Sequence, residues 1–439
     1  MSQQKLITPR KLSGFMELMP NKQIVFDKMI STIKEVYNKH AFMPLDTPVL
    51  ELSEILLAKS GGEIDKEVYR FSKGDTDICM RYDLTVPLAR FVAMNSEQLS
   101  FPFKRYQIGK VYRGERAQKG RFREFYQCDA DIIGLEELPI TADGECLIMV
   151  VQVFDALGLP VVNRISNRNI LFGYCEGLGY KQQTKAILTI LDKLGKIGIE
   201  NAKLELAELG VKNQDIEKFL DITSKKGKFD EVLASIENLS DNQTFNKGIQ
   251  ELKEVYAVLK AYGIDESKYT LDLSIIRGQD YYTGTIFEAI IPNHPEFGTV
   301  CGGGRYDNLA GYYTDKKLPG VGLSIGLTRL FDLLSQNEML ENVPQSNIQL
   351  DIIPLGDTLL DCISLQSYFQ KELVCDVNYD QRSFKAKMKD ANKKQIPFVM
   401  IVGENEVASK TYSLKNMLTG EQFNLSKEDC LKYIKENLN

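Results

Sequence analysis

Arg121-Phe122-Arg123-Glu124-Phe125-Tyr126-Gln127-Cys128-Asp129-Ala130-Asp131-Ile132 reads as a β-strand whose two faces differ in chemistry. Successive side chains of a strand point to opposite faces. One face receives Phe122, Tyr126, Cys128, Ala130 and Ile132, a core set broken only by Glu124. The other receives Arg121, Arg123, Phe125, Gln127, Asp129 and Asp131. That face grades from cations through an aromatic ring to an amide and acids. It suits a small ligand that is anionic at one end and cationic at the other. A solvated face of a two-sided antiparallel sheet fits the pattern equally well.

Working outward, Phe103 to Arg113 has the same strand character, and the polar turn Gly114 to Gly120 joins the two into a long antiparallel hairpin. The hairpin carries Lys104, Arg105, Lys110, Arg113, Arg116, Lys119, Arg121 and Arg123 against Glu115 alone between Phe103 and Arg123. In a chain of net charge −6, so dense a cationic stretch points to an anionic ligand, or else to a solvated charged hairpin.

Upstream, Asn21 to His40 has helical spacing of Phe26, Met29, Ile30, Ile33 and Tyr37. The strand-like run Phe42 to Glu51 contains Pro44 and Pro48, which confines it to a sheet edge or an interface. A helix is expected at Asp143 to Leu157. From about 180 to 265 the pattern is helical and reads as an insertion. Strands are expected at Thr270 to Ile276, Thr283 to Ile291 and Gly320 to Gly326, the last running into a helix at Leu327 to Gln336. Asn337 to Asn347 reads as a linker. After it come strands at Ile348 to Pro354, Cys375 to Val377 and Pro397 to Val402, with helices at Leu359 to Leu373, Phe384 to Lys394 and Lys427 to Asn437. That is a small α/β domain with a largely parallel sheet.

The 439 residues call for two or three domains, and 43% hydrophobic with 26% charged residues suits a globular chain. The longest apolar runs, such as Phe398 to Val402, are too short to span a bilayer, and Met1 to Leu12 lacks the apolar core of a secretory signal. A cytoplasmic location with no membrane partner is the expectation. The eight cysteines form no C-x-x-C pair and the only histidines are His40 and His294, so buried free thiols are expected and no protein-bound zinc.

Other polar groups gather in short segments. Arg81-Tyr82-Asp83-Leu84-Thr85 precedes a helix at Val86 to Met94; Thr85 suits an N-cap, and Asp83 suits an ammonium partner. In Arg277-Gly278-Gln279-Asp280-Tyr281-Tyr282-Thr283-Gly284 the glycine and aspartate suit a turn, but adjacent strand tyrosines point opposite ways, so one hydroxyl should enter a pocket. Gly302-Gly303-Gly304-Arg305-Tyr306-Asp307 lacks the phosphate-loop lysine and spacing; three glycines mean a sharp bend or a very close neighbour. Arg329, in the first turn of its helix, opposes the helix dipole and calls for an anion, unless it is a surface arginine.

Together these segments resemble the class II aminoacyl-tRNA synthetases, and most closely the histidine-specific family. The helix and proline-bearing strand through Pro48 look like the first class motif. Tyr112-Arg113-Gly114-Glu115, the loop and Arg121 to Phe125 look like the second, and Gly322 to Arg329 like the third. The segments at Arg277 to Tyr282 and Gly302 to Asp307 look histidine-specific. Gln279 and Thr328 depart from the family pattern, where leucine and an acidic residue are usual.

The resemblance implies an α+β fold: a class II antiparallel sheet flanked by helices, a helical insertion, and a C-terminal α/β anticodon-binding domain. Its boundaries would be 1–336 for the catalytic domain, 337–347 for the linker and 348–439 for the last domain. It implies ATP-dependent activation of L-histidine to histidyl-adenylate and transfer to the 3′ end of tRNA(His), by a homodimer formed through the first motif. Arg113 and Arg277 would be catalytic, flanking the α-phosphate. Asp83, Thr85, Gln127, Asp131, Tyr281 and Tyr282, with Arg113 and Arg277, would bind histidine. Arg113, Glu115, Arg121, Phe125 and Arg329 would bind ATP, whose phosphates carry Mg2+. The neighbouring alternative is a non-charging, histidine-sensing paralogue that regulates histidine biosynthesis. Such paralogues lack the C-terminal domain and erode the ATP arginines, both of which this chain retains.

Overall fold

Alternating apolar and polar residues build the hairpin. The computed structural model describes residues 7–58, 64–116, 118, 120–276, 282–340 and 343–438. In it Phe103–Tyr112 and Glu124–Ile133 pair antiparallel, from Phe103 opposite Ile133 to Tyr112 opposite Glu124. Gly320–Gly326 pairs along the free side of Glu124–Ile133, and Thr299–Tyr306, Thr285–Ile290 and Val162–Asn167 follow, all antiparallel. Tyr269–Asp272 adds in parallel, with Lys226–Gly227 beyond it. At the opposite edge Met43–Pro44 runs parallel to Arg105 and Tyr106, where a proline costs no interior ladder bond. Among the described residues this is a nine-stranded sheet.

One face of the sheet is core. Cys128, Ala130, Val321, Leu323 and Ile325 are buried there, and the helix Thr141–Ala156 packs against it. That helix is apolar nearly all round because its other side is covered by Gln243–Tyr262. Its first turn is tied down by a buried ion pair. Arg305 donates from Nε and Nη2 to the Asp143 carboxylate at 2.8–3.2 Å, and to the Leu138 and Pro139 carbonyls at 3.0 Å. The arginine of the glycine-rich segment is therefore structural.

The α+β expectation holds, with two corrections. Residues 180–265 are mostly helical, as expected, and are built into the domain: Gln243–Tyr262 packs on Arg168–Gly177, its buried Glu251 accepts from Asn167 at 2.7 Å, and Lys226–Gly227 extends the sheet. A small three-stranded sheet, Leu50–Leu52, Thr76–Met80 and Arg70–Lys73, is illegible in the sequence because its strands are short and largely exposed. The C-terminal sheet is mixed rather than largely parallel. Cys375–Val377, Leu350–Pro354 and Phe398–Val402 are parallel, but the hairpin Tyr412–Asn416 and Gln422–Leu425 completes it antiparallel.

Two compact units result: Met29–Met339 with the segment before Glu17, and Leu340–Asn439 with Glu17–Lys28. The second has its own core of Leu350, Ile352, Phe369, Phe398, Met400 and Leu414. All eight cysteines are buried and free, as expected.

Removing one partner of a buried ion pair leaves an uncompensated charge, at a cost of about 3–5 kcal/mol. Arg305→Met is expected to destabilise the first unit by that amount in urea denaturation, whereas a loss under about 1 kcal/mol would mean that Asp143 is neutral or finds another partner.

Candidate active site

The strand register sets the second face of the sheet. Asp131 stands between Arg105 and Gly322, Asp129 between Gln107 and Ser324, and Gln127 between Gly109 and Gly326. Arg105 is fully buried and reaches Asp131 at 2.7 Å. The Tyr306 hydroxyl donates to the same carboxylate at 2.7 Å, and Arg105 also donates to the Leu84 carbonyl at 3.2 Å. Gly322 makes room for this carboxylate, since a Cβ there would lie 2.1 Å from Asp131 Oδ1. One strand over, a Cβ on Gly304 would press on the Tyr282 ring at 3.0 Å. The glycine-rich strands thus lie very close to something, as the sequence required.

Asp83 comes from the turn before the helix Thr85–Asn95. Its Oδ1 accepts from the Thr85 and Val86 amides at 3.2 and 3.0 Å. The cap that the sequence offered to Thr85 is therefore made by Asp83. Asp83, Thr85, Gln127, Asp129, Asp131, Tyr282 and Tyr306 line one small cavity of about 40 Å³.

A larger cavity of about 370 Å³ adjoins it. Arg113, Arg121 and Arg329 line this cavity, together with Phe125, Glu67 and Glu115. Gln127 and Ser324 border both cavities, and Gln127 donates to the Ser324 hydroxyl at 2.8 Å. The Arg113 guanidinium lies 4.3 Å from the Tyr82 ring centre and 5.1 Å from that of Phe125, and donates to the Tyr82 carbonyl at 3.2 Å. Such stacking holds an arginine without using up its outer donors. Arg329 donates to the Phe297 carbonyl at 2.8 Å, while its buried Nε has no partner among the described residues. Thr328, one residue earlier, accepts from the Tyr126 amide at 2.8 Å and ties the helix Leu327–Gln336 to the hairpin strand. A hydroxyl thus serves at this departure from the family pattern.

Charge separates the cavities. Burial raises the Asp83 and Asp131 carboxyls above the usual carboxylate range and pushes Asp129 up to about 7. In the larger cavity, burial and then the nearby Arg121 pull the Arg329 guanidinium below its ordinary value. One end of the site is short of positive charge and the other short of negative charge.

Of the residues expected to bind the amino acid, Asp83, Thr85, Gln127, Asp131 and Tyr282 meet in the small cavity. Arg113, Glu115, Arg121, Phe125 and Arg329 meet in the larger one. Arg277 and Tyr281 lie outside the described residues. Two readings need correction. Lys104 and Lys110 are taken by Glu145 at 2.6 Å and Glu124 at 2.8 Å, and Arg105 by Asp131, so only part of the cationic stretch faces a ligand. Arg121 to Arg123 precede the strand, so Phe122 escapes the alternation and lines the larger cavity instead of the core. Asp131, expected to read a ring nitrogen, accepts from Tyr306 at 2.7 Å and lies 2.7 Å from Arg105, with its Oδ2 making no hydrogen bond among the described residues.

The sequence reading missed Arg105, Asp129, Tyr306 and Ser324 as site residues. Asp129 was visible on the polar face, but the other three needed the cross-strand register.

A family model described as histidyl-tRNA synthetase matches residues 14–330, and an anticodon binding domain model matches residues 349–437. A histidine–tRNA ligase of Clostridium tetani is 46% identical, across 98% of this chain and 99% of that one. Another, of Clostridium acetobutylicum, is 44% identical across 96% and 99%. The crystal structure of histidyl-tRNA synthetase from Nostoc sp. PCC 7120 superimposes with a TM-score of 0.90 at 33% identity, covering 99% of this chain and all of that one. With full-length relatives of this identity and a family model spanning the sheet and both cavities, the chain belongs to the histidyl-tRNA synthetase family.

Proposed function

We propose that this protein is a histidine–tRNA ligase, activating L-histidine with ATP and transferring it to tRNA(His). The observation that carries the reading is the pair of adjoining cavities of opposite electrical need, bridged by Gln127 and Ser324. Histidine fits across the bridge, with its ammonium and ring among the carboxylates and its carboxylate facing the arginines. ATP fits the larger cavity, where Phe125 offers a ring for adenine and Arg121 and Arg329 offer charge for the outer phosphates.

In the first step a carboxylate oxygen of histidine attacks the α-phosphorus, the bond to the pyrophosphate oxygen breaks, and histidyl-adenylate and pyrophosphate form. In the second, the terminal ribose hydroxyl of tRNA attacks the activated carbonyl and AMP leaves. Neither step needs a protein nucleophile; positioning and fixed positive charge suffice. Arg113 suits the central task. It lines the larger cavity, lies within electrostatic reach of Asp83, and sits within 5.1 Å of the Tyr82 and Phe125 ring centres. From there it can hold the attacking carboxylate and the α-phosphate together as charge builds. Arg277 is proposed to flank the same phosphate from the other side. Glu67, which accepts from the Tyr82 hydroxyl at 2.9 Å, and Glu115, paired with Arg121 at 3.2 Å, bring hard carboxylate oxygens to the cavity wall and would hold Mg2+ arriving with the nucleotide. When bound, the ion would further neutralise phosphate charge.

The C-terminal unit is proposed to bind the anticodon, and the edge strand Met43–Pro44 to pair two copies into a homodimer. Met43, Leu50 and Leu52 are exposed apolar residues along that region, which supports a covered edge.

ATP–pyrophosphate exchange with each of the twenty amino acids tests the activity, and exchange with histidine alone is expected; exchange with another amino acid, or none, rejects the reading. In the same assay Arg329→Ala should raise the KM for ATP about 10- to 100-fold with little change in the KM for histidine. An unaltered KM for ATP removes Arg329 from the nucleotide site. Sedimentation should give a species of twice the chain mass, and Met43→Glu should halve it; a wild-type monomer at micromolar concentration argues against the dimer.

A further inference from the structure

Asp129 is a carboxylate of the small cavity to which neither the fold nor the assigned roles give a full set of partners. It is 2% exposed, so it is not a solvated surface acid. Its Oδ1 is buried without a hydrogen-bond partner among the described residues. Every neighbouring element leaves that oxygen free. Across one strand, Gln107 gives its amide to Asp46 and Thr47. Across the other, the Ser324 hydroxyl bonds the carboxylate but accepts from Gln127 at the same time. Asp131, on the same strand face, accepts from Tyr306 through Oδ1 and is ion-paired with Arg105 through Oδ2, which makes no hydrogen bond among the described residues. Asp83, on the facing turn, spends its Oδ1 on two backbone amides. Arg105 is the cation in reach of Asp129; its Nη2 lies against Asp131, and its Nε and Nη1 make no hydrogen bond to Asp129 or to any other group among the described residues.

A buried anion of this kind is costly unless something arrives to pair with it. The register says which end of the amino acid that is. Asp129 lies opposite Ser324, which borders both cavities, whereas Asp131 lies opposite Gly322, one step deeper. The junction must hold the α-carbon, because the carboxylate has to face the nucleotide. The group on that carbon that can pair with a carboxylate is the α-ammonium.

Building on the proposed histidine-activating function, we propose that Asp129 is a further substrate-binding residue, whose free carboxylate oxygen receives the α-ammonium of histidine beside Asp83. The division of labour is then clear. Asp129 reads the backbone amine and not the ring, and Asp131 with Tyr306 and Tyr282 closes the ring end. Because burial pushes Asp129 up to about 7, part of the free protein carries it protonated near neutrality. A protonated Asp129 cannot pair with an ammonium, so histidine binding weakens as pH falls through that range.

The test uses the full-length protein and its Asp129→Asn variant, with thermal unfolding as the check on folding. The variant should raise the KM for histidine about 10- to 100-fold and leave the KM for ATP within about twofold. The more decisive readout is the affinity ratio between histidine and imidazole-propionate, which lacks the amine. That ratio should fall about tenfold or more in the variant, because only the amine-bearing ligand loses its partner. Between pH 6 and 8 the wild type should show a rise in kcat/KM for histidine about Asp129's titration, beyond the imidazole titration that both proteins share, and the variant should lack it. Equal weakening of both ligands, or an unchanged KM for histidine in a folded variant, overturns the assignment. Absence of histidine-dependent exchange in the wild type would instead defeat the functional reading itself. Should the variant fail to fold, the wild-type pH profile and the wild-type preference for the amine-bearing ligand still decide: a profile with no contribution beyond the imidazole counts against Asp129.

Discussion

A buried ion pair between neighbouring strands, Arg105 to Asp131 at 2.7 Å, is the constraint on which the site depends. Two charges withdrawn from water are expensive, and their attraction repays the cost only where geometry and extra hydrogen bonds are good. Here they are. The two residues are directly opposed in the hairpin register, Tyr306 donates to the aspartate, and the Leu84 carbonyl accepts from the arginine. A slip of one residue in that register would turn the side chains of Gln127, Asp129 and Asp131 into the core and bring Cys128 and Ala130 out to the ligand face. The pair therefore fixes the polar face as well as the deep end of the small cavity.

From that fixed point the rest of the site follows by position along two strands. Moving from Asp131 toward Gln127, the face passes from a closed, acid-rich pocket to a wide cavity edged by arginines. Glycine at 322 lets the carboxylate lie flat against the next strand, and glycine at 304 does the same for the Tyr282 ring. The helix Leu327–Gln336 starts where the strand Gly320–Gly326 ends, and brings Arg329 over the larger cavity with no acidic residue in its first turn to neutralise it. A substrate that is cationic at one end and carries its carboxylate to a polyphosphate satisfies both ends at once. Electrostatics thus orients histidine before any chemistry begins.

Much of this is legible in the chain. The alternation of Glu124 to Ile133 sorts its faces correctly over the strand proper, and the prolines near Met43 mark the sheet edge. The resemblance names site residues, and those within the described residues line one cavity or the other. The failures have physical causes. Arg105 looks like one more member of a cationic stretch because sequence gives charge and not depth; burial turns it into the partner of an acid. Phe122 falls to the core only when the alternation is extended past the strand's true start. The hairpin Tyr412–Asn416 and Gln422–Leu425 does alternate, with Tyr412, Leu414, Phe423 and Leu425 apolar about a turn at Gly420, so its signal lies in the sequence and the reading passed over it. Asp129 stands on the right face in the sequence, but only the register with Ser324 and Gln107 shows that one of its oxygens lacks a partner.

A crystal structure of the full-length protein with a non-hydrolysable analogue of histidyl-adenylate tests the central claim most directly. The account predicts one continuous ligand, its adenine beside Phe125 and Arg329, its ammonium within about 3.2 Å of Asp83 and Asp129, and its ring toward Asp131 and Tyr306. A ligand bound away from Gln127 and Ser324, or one lying with its ring among the arginines, would contradict it.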